Sequence, residues 1–267
     1  MPTISLIGAT GRTGRGVLQI LLTEPYRSYD IRIYVRSKAK LLSIFPDLAS
    51  YARVSVFEGS IADINLFKQC LSSADTIISV LGENENIAGL HILQDAATTT
   101  VSALQELCTE NPNYEIPRLV LLSSATWNAT FAGARPRFIH WLIKTAFCYP
   151  YADLLKAQEI YAQRPDLLRL CLIQPPAIVE GESSGHILST ETVTLVVSYG
   201  DLASGFVEVA TKAEHRDIEA IGVSSTSKDQ KKYLLELQIR IVRGFLAQYV
   251  PGYFSIENKV WGLLGYA

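Results

Sequence analysis

Residues 3–22 read TISLIGATGRTGRGVLQILL, an apolar run followed by a glycine-rich turn and the start of an amphipathic helix. Gly8 permits a tight turn out of the strand, Gly11 carries no side chain that would block a pyrophosphate, and Gly14 lets the helix pack close to the strand. The helix N-terminus offers unpaired N–H groups and a partial positive charge to phosphates. The stretch therefore predicts a dinucleotide site, unless its glycines serve packing alone. The turn residues expected at the cofactor are Gly8, Thr10, Gly11, Arg12, Thr13 and Gly14.

The rest of the chain repeats this alternation of apolar strands and helical patterns. Near-continuous apolar strands joined by helices are typical of a parallel sheet that is covered on both faces. We therefore predict an α/β fold, a Rossmann doubly wound parallel sheet with helices on both faces and a small C-terminal substrate-covering region. In this prediction residues 1–267 form one NAD(P)-binding domain, and residues 180–267 contribute much of the substrate pocket. Further strands are predicted at residues 31–35, 54–57, 76–81, 119–122, 168–173 and 220–223.

Composition and charge exclude several classes of protein. The chain has 267 residues, of which 48% are hydrophobic and 19% charged, as expected for a globular protein. Its net charge is −2 and no basic run stands out, so we expect a small-molecule substrate and no nucleic acid as partner. The four cysteines form no CxxC pair, which predicts neither a metal site nor a disulfide framework. No apolar stretch is long enough to span a bilayer and no secretory signal is visible, so we expect a cytoplasmic protein.

The residues after the second predicted strand indicate which dinucleotide binds. An acidic residue there would accept from both ribose hydroxyls and favour NAD, whereas this chain has Val35-Arg36-Ser37-Lys38. Arg36 and Lys38 can pair with a 2′-phosphate, and Arg12 would add positive charge from the turn. We therefore expect NADP(H) as the cofactor. The alternative is that Arg36 and Lys38 are only solvated surface charges.

Other cofactor contacts are expected at the carboxyl ends of later strands, where ligands of such sheets bind. Ser60 and Ile61 follow the third predicted strand and would flank the adenine. Leu81 and Gly82 end the fourth and would border the nicotinamide ribose. Ser123, after the fifth strand, is a further candidate for a ribose contact.

Several stretches in the same order resemble the atypical short-chain dehydrogenase/reductases of the NmrA-like type. One of them, QPPAIV, resembles a proline-containing segment that closes over nicotinamide, which implies cofactor contacts from Pro175 and Ile178. Another, GHILSTE, is most similar to fungal averufin-oxidase-like proteins of natural-product gene clusters. The stretches that carry the resemblance are residues 8–14, 35–38, 121–124, 151–159, 174–179, 185–191 and 201–203.

The resemblance also implies a catalytic tyrosine, a lysine four residues later and an upstream serine. Tyr151 and Ser124 match the tyrosine and the serine. Leu155 stands where the lysine would be, and Lys156 comes one residue late, which turns its side chain by roughly 100° on a helix. The role of Lys156 is therefore open. The function implied is NADP-dependent oxidation or reduction of a carbonyl or enone in a polyketide-like or terpenoid-like metabolite.

Other functions remain open at this point. The displaced Lys156 also suits a non-redox isomerase, cyclase or ring-opening enzyme on the same fold, or a regulator that senses NADP without turnover. Gly181–Gly185 matches G-x-S-x-G, and Asp201 and His215 follow in the chain order of a hydrolase triad. Proline residues rather than a strand precede that motif, and no helical pattern follows it directly.

The C-terminal part is expected to complete the substrate pocket together with residues 127–148. Lys231–Gln248 has the spacing of one amphipathic helix. Tyr253–Ala267 is aromatic and apolar, so it would pack over the sheet edge or form the contact of a homodimer. A membrane-surface role is the alternative, although the stretch is not basic.

Overall fold

A central, mostly parallel sheet organises the protein, whose computed structural model describes residues 1–133 and 136–263. Its eight strands follow the order β3-β2-β1-β4-β5-β6-β10-β8, and only β8 runs antiparallel to its neighbour. The two remaining strands, β7 and β9, form a separate parallel pair. The strands are Thr3–Ile7 (β1), Asp30–Val35 (β2), Val54–Glu58 (β3), Thr76–Ser79 (β4), Arg118–Leu122 (β5), Arg169–Ile173 (β6), Ala177–Val179 (β7), His186–Ser189 (β8), Val196–Ser198 (β9) and Ala220–Ser225 (β10).

Helices cover both faces of the sheet. Leu18 of α1 and Phe206 of α8 pack with Leu6 of β1 in one core cluster. The neighbouring residue of β1, Ile7, points the other way and packs with Phe67 of α3 and the residues around it in a second cluster. This arrangement confirms the predicted doubly wound α/β fold. The helices are Arg12–Leu21 (α1), Lys38–Ile44 (α2), Ile64–Leu71 (α3), Ile92–Glu110 (α4), Ala129–Ala132 (α5), Arg137–Ala146 (α6), Cys148–Ala162 (α7), Tyr199–Thr211 (α8), Leu234–Tyr249 (α9) and Tyr253–Leu263 (α10).

The sequence placed most elements correctly but missed some boundaries and short strands. β4 ends at Ser79, two residues before the predicted end. The predicted helix Lys231–Gln248 divides into a 3₁₀ turn, Lys231–Tyr233, and α9. β7, β8 and β9 were not predicted, because strands of three or four residues are too short to show a period. Of the C-terminal stretch 253–267, residues 264–267 lie outside the described residues.

The strand order creates one crevice at the carboxyl edge of the sheet. β1 pairs with β2 on one side and with β4 on the other, so the connections that leave β1 and β4 diverge. Ligands of open parallel sheets bind at such a switch point. Within residues 1–133 and 136–263, no helix is long and apolar enough to cross a membrane.

Asp201, a buried residue in the first turn of α8, joins the loop after β7 to the sheet by hydrogen bonds. Its carboxylate accepts hydrogen bonds from the backbone N–H groups of Ser184 (3.1 Å) and Gly185 (3.0 Å) and from the Ser225 hydroxyl of β10 (2.5 Å). Burial alone would raise the pKa of Asp201, but the hydrogen bonds from Ser225, Ser184 and Ser198 outweigh it and hold the pKa below its ordinary value of 3.8. The ionised carboxylate therefore stabilises this end of the fold.

Replacing Asp201 with asparagine is expected to lower the free energy of unfolding at pH 7 by about 3 kcal/mol, because an NH₂ donor replaces one of the two accepting oxygens and the charge is lost. The folded-state pKa is depressed, so this stabilisation is complete above the unfolded pKa of about 4 and is lost as the pH falls through the folded value. Urea unfolding of wild type and Asp201→Asn at pH 7 and pH 3 should show a difference that shrinks in acid. Asp217→Asn, at an exposed position before β10, is the control. Equal differences at both pH values would contradict this role.

The same loop contradicts the hydrolase alternative. Gly181–Gly185 lies between β7 and β8, so the strand–nucleophile–helix turn that such a serine needs is absent at this motif. Asp201 is engaged by the backbone of the loop. His215 follows the C-terminal end of α8 and contacts Glu208, which is seven residues and about 10 Å along the helix axis from Asp201. The three residues do not form a triad.

Candidate cofactor and catalytic site

The glycine turn after β1 is sterically fixed at two positions. Gly8 has φ +97°, a left-handed conformation that favours glycine, and a Cβ there would lie 3.0 Å from the carbonyl carbon of Val80. A Cβ at Gly14 would overlap the carbonyl oxygen of Gly8, because α1 begins directly against the turn. A Cβ at Gly11 would meet only that same oxygen, at 3.4 Å. Gly8 and Gly14 are therefore required for packing, whereas Gly11 leaves the space through which a phosphate would approach.

The first turn of α1 is free to bind an anion. Gly11 is the N-cap and provides no side-chain cap, and the first turn carries no acidic residue that would repel a phosphate. Thr13 is buried there. Arg12 points across the turn, where its guanidinium forms an ion pair with Glu180 (2.7 Å) and lies over the ring of Tyr199 at 5.4 Å. Arg12 is thus engaged at the mouth of the crevice rather than left free for a 2′-phosphate.

A cleft of about 390 Å³ opens beside this turn. It brings together five of the residues predicted from sequence, which come from the turn, the end of β4 and β7. Leu122 at the end of β5, two residues before Ser124, also lines it, whereas the predicted catalytic residues Ser124, Tyr151 and Lys156 do not. This size is within the usual range of ligand sites. The predicted residues that line the cleft are Gly11, Arg12, Thr13, Gly82 and Ile178.

Helix α9 forms a wall of the cleft that the sequence analysis did not predict. Arg240 and Arg243 line it, and the Arg240 guanidinium donates to the carbonyl oxygen of Ile178 (2.6 Å). Asn86, a buried residue after β4, donates to the carbonyl oxygen of Gly244 (3.0 Å) and accepts from the backbone N–H of Tyr149 (3.0 Å). A single side chain thus joins the loop after β4 to both α9 and α7. The signal in the sequence was Gly244, an isolated glycine inside an amphipathic helix, which indicates close packing.

Arg36 and Lys38 follow β2 at exposed positions, as predicted. Within residues 1–133 and 136–263, neither side chain has a hydrogen-bond or ion-pair partner, so both cations are available to a ligand. Ser37 between them caps α2 by accepting from the backbone N–H of Lys40 (3.2 Å). Sequence reasoning missed Glu58 at the end of β3, which accepts from the backbone N–H of Lys38 (2.8 Å). Parallel pairing of β2 with β3, with Val35 opposite Glu58, brings this carboxylate to the backbone at the start of α2.

The remaining predicted cofactor residues lie behind or beside the cleft. The carbonyl oxygen of Ser60 accepts from the Tyr34 hydroxyl (2.7 Å), which fixes the chain after β3, and Ile61 packs against the second core cluster. The carbonyl oxygen of Pro175 accepts from the backbone N–H of Ala125 (2.9 Å). This bond ties the segment between β6 and β7 to the end of β5. The predicted cofactor residues outside the cleft lining are Gly8, Thr10, Gly14, Arg36, Lys38, Ser60, Ile61, Leu81, Ser123 and Pro175.

Tyr151 and Ser124, the predicted catalytic pair, lie together. The Ser124 hydroxyl donates to the Tyr151 hydroxyl (3.4 Å), which donates to Oγ1 of Thr126 (3.2 Å). Trp127 stands edge-on to the Tyr151 ring, with 5.8 Å between centroids. Lys144 of α6 places its ammonium 3.9 Å from the centroid of the Trp127 ring. The site therefore has three hydroxyl groups in a chain, with Thr126 as the member that the sequence did not reveal.

The structure does not bring Lys156 to this site. α7 is a regular helix from Cys148 to Ala162, so residue 156 lies about 140° around the axis from Tyr151. The Lys156 side chain is 58% exposed, and its ammonium pairs with Glu159 (3.1 Å). Leu155 occupies the position of the lysine in the resembled pattern. Gln158 shares the face of Tyr151 instead and donates to the Ser123 hydroxyl (2.9 Å).

Comparison with known proteins shows the family of the chain. Residues 8–213 match the family model of NAD(P)H-binding proteins. The chain belongs to this NAD(P)H-binding family. Oxidoreductase ordB of Dothistroma septosporum is 34% identical over 251 residues, which cover 94% of this chain and 93% of that protein. Averufin oxidase A of Aspergillus flavus is 32% identical over 237 residues, covering 85% of this chain and 84% of that protein.

Solved structures of other proteins share the fold. A short-chain dehydrogenase/reductase from Veillonella parvula in complex with NADP has a TM-score of 0.64 and 19% sequence identity, covering 85% of this chain and 95% of that one. At this identity the likeness shows the fold alone. The relatives confirm the resemblance to atypical short-chain dehydrogenase/reductases and to averufin-oxidase-like proteins of fungi. The choice of NADP over NAD and the role of each site residue stay predictions.

Proposed function

We propose that this protein is an NADP(H)-dependent oxidoreductase that acts on a carbonyl or enone of a polyketide-like or terpenoid-like metabolite. The observation that carries the proposal is the Ser124–Tyr151 hydroxyl pair, whose serine lies two residues along the chain from Leu122 of the cleft that also includes the glycine turn. The names of the relatives, oxidoreductases and an averufin oxidase, support the reaction and the class of substrate.

The glycine turn and the two cations that follow β2 suit a dinucleotide. The uncapped first turn of α1 and the open space at Gly11 would hold the pyrophosphate, and Arg36 and Lys38 would hold a 2′-phosphate. Bound NADPH supplies a hydride at its nicotinamide ring. The Ser124 hydroxyl would hydrogen-bond the substrate oxygen and polarise the carbonyl, and the Tyr151 hydroxyl would give that oxygen its proton. Thr126, as the next hydroxyl in the chain, would hold the Tyr151 oxygen in place.

Calorimetric titration with NADPH, NADP⁺, NADH and NAD⁺ tests the cofactor part of the proposal. We expect tight binding that depends on the 2′-phosphate. A protein that binds none of the four would contradict the proposal, since the glycine turn would then serve packing alone. With NADPH bound, a screen of quinones and aromatic ketones should show loss of the nicotinamide absorbance together with reduced product.

Arg36→Asp is expected to weaken NADPH binding by a factor of about ten to one hundred and to leave NADH binding nearly unchanged. The reason is that the variant loses a charge-assisted contact to the 2′-phosphate and places a carboxylate there instead. Titration of both cofactors into the variant measures the change. Arg216→Asp makes the same charge change before β10, at the opposite edge of the sheet, and should bind both cofactors like wild type. Equal losses for NADPH and NADH in Arg36→Asp would remove Arg36 from the phosphate site.

The position of Lys156 favours a second candidate, a non-redox isomerase or cyclase. Leu155 stands where the resembled pattern has its lysine, and the Lys156 ammonium pairs with Glu159 at the surface, so Lys156 does not assist the Tyr151 hydroxyl in a hydride-transfer reaction. In that case a substrate would be converted while the nicotinamide absorbance stays constant. Binding of NADPH without conversion of any substrate would instead support the NADP-sensing regulator.

A further inference from the structure

Helix α9 presents a row of exposed apolar side chains on the face opposite the cleft. Their spacing of four, three, four and three residues is that of a heptad seam. Each is between 39% and 68% exposed, so no part of the described chain covers them. The row, called the α9 stripe below, consists of Leu235, Ile239, Val242, Leu246 and Tyr249.

The stripe is narrow and has polar borders. Successive residues of a helix are rotated by about 100°, so the five side chains fall within an arc of about 80°. Gln238 borders one side of the arc, and Glu236 and Arg243 border the other. A seam of this width matches the surface of one partner helix.

Aromatic residues of α6 extend the stripe sideways. Phe138 and Trp141 are exposed and stack on each other, with 5.9 Å between ring centroids. Trp141 stands edge-on to Phe245 of α9 (6.1 Å), which in turn contacts Tyr249 of the stripe (4.8 Å). α6 and α9 approach closely at Gly244, where a Cβ would overlap the backbone of Ala146. The two helices therefore form one continuous apolar face.

The size of this face is that of a dimer interface. With fully exposed areas of about 150–250 Å² for large apolar side chains, these exposures add up to roughly 800 Å² per chain. A standard protein interface removes about that area from each partner. Monomeric proteins rarely expose so large a contiguous apolar patch.

The two arginines of α9 beside the stripe are paired within the chain, whereas Lys231 and Lys232, which precede the helix, are exposed. Arg240 pairs with Glu236 (3.7 Å), and Arg243 pairs with Glu257 (2.5 Å), so neither is left to bind lipid headgroups. The stripe itself carries no charge, so a second stripe can cover it without burying an unpaired ion. A heptad seam is also complementary to a second copy of itself.

We propose that the α9 stripe and the neighbouring α6 aromatics join two copies of this chain in a two-fold symmetric dimer. α6 and α9 of each copy then form a four-helix interface in which the two α9 stripes meet at Val242 and the aromatic side chains lie beside them. This inference does not depend on the proposed function.

Sedimentation-velocity and light-scattering mass measurements at micromolar concentration test the dimer. We expect wild type to have twice the 29.5 kDa mass of the chain. Ile239→Glu should have the mass of one chain. Because position 239 is exposed in a single chain, the variant should still fold, and its melting temperature should be near that of wild type at a concentration low enough to dissociate the dimer. Ile116→Glu, an exposed apolar position before β5, is the matched control and should remain dimeric.

A cysteine at the middle of the stripe gives a second, independent readout. A disulfide needs Cα atoms within about 7 Å, so Val242→Cys should form a covalent dimer on mild oxidation. Wild type, with its own four cysteines, is the blank. A monomeric wild type, or a dimer that survives Ile239→Glu, would overturn the proposal. Co-sedimentation of a monomeric wild type with phosphatidylcholine–phosphatidylserine vesicles, lost in Ile239→Glu, would also overturn the proposal and assign the face to a membrane.

Discussion

Replacing Gly14 with alanine is expected to lower the free energy of unfolding by on the order of 3 kcal/mol and to weaken NADPH binding at least tenfold. The added Cβ would overlap the carbonyl oxygen of Gly8, which is backbone and cannot rotate away. α1 must therefore move away from the turn, and its N-terminal N–H groups move with it. Urea unfolding measures the first effect, and calorimetric titration of the folded fraction measures the second.

Gly11→Ala is the matched variant, because it adds the same methyl group where a Cβ meets a neighbour only at 3.4 Å. We expect it to unfold within about 1 kcal/mol of wild type and still to bind NADPH more weakly, since the methyl group stands in the path of the pyrophosphate. If Gly14→Ala unfolds like wild type, α1 does not depend on this contact. If Gly11→Ala binds NADPH with full affinity, the phosphates do not approach through this space.

Replacing Tyr151 with phenylalanine is expected to reduce kcat at least 100-fold on the substrate that the NADPH screen identifies, because general acid catalysis is typically worth 10²–10⁴. The phenyl ring retains the contacts with Trp127 and removes only the hydroxyl that bonds to Ser124 and Thr126. NADPH affinity should stay the same. Product formation and the dissociation constant of NADPH are the two measurements.

Lys156→Gln is the control on the same helix. Its ammonium pairs with Glu159 at the surface, so kcat should stay within twofold of wild type. A variant Lys156→Gln that loses as much activity as Tyr151→Phe would contradict the geometry of α7 described above. Turnover by Tyr151→Phe at the wild-type rate would assign the proton to another donor.

Local patterning was enough to predict the fold. The glycines that follow β1 are explained by neighbouring residues alone: Gly8 adopts a left-handed conformation, and Gly14 packs against the carbonyl oxygen of Gly8. The parallel sheet followed from apolar strands that alternate with helices. β8 and the β7–β9 pair escaped prediction because their few residues depend on tertiary neighbours for their conformation.

The site could be predicted only where it is built by residues that directly follow a strand. Tyr151 and Ser124 were found through a resemblance, and their contact is a consequence of how α7 packs beside β5. The wall formed by α9 was not accessible to local reasoning, because the Asn86–Gly244 bond joins residues 158 positions apart. Glu58 was missed for the same reason, since only pairing of β2 with β3 brings it to Lys38.

The glycine turn both packs α1 against β1 and offers a site for phosphate, and these two roles constrain evolution within the family differently. Gly8 and Gly14 are needed to pack α1 against β1 whether or not a nucleotide binds. In a descendant that no longer binds the cofactor, selection for folding alone would therefore keep the same glycines. Arg36 and Lys38, whose cationic groups stabilise nothing in the described fold, would be free to drift. Their identity, more than the glycines, should separate lineages that still use NADP from those that do not.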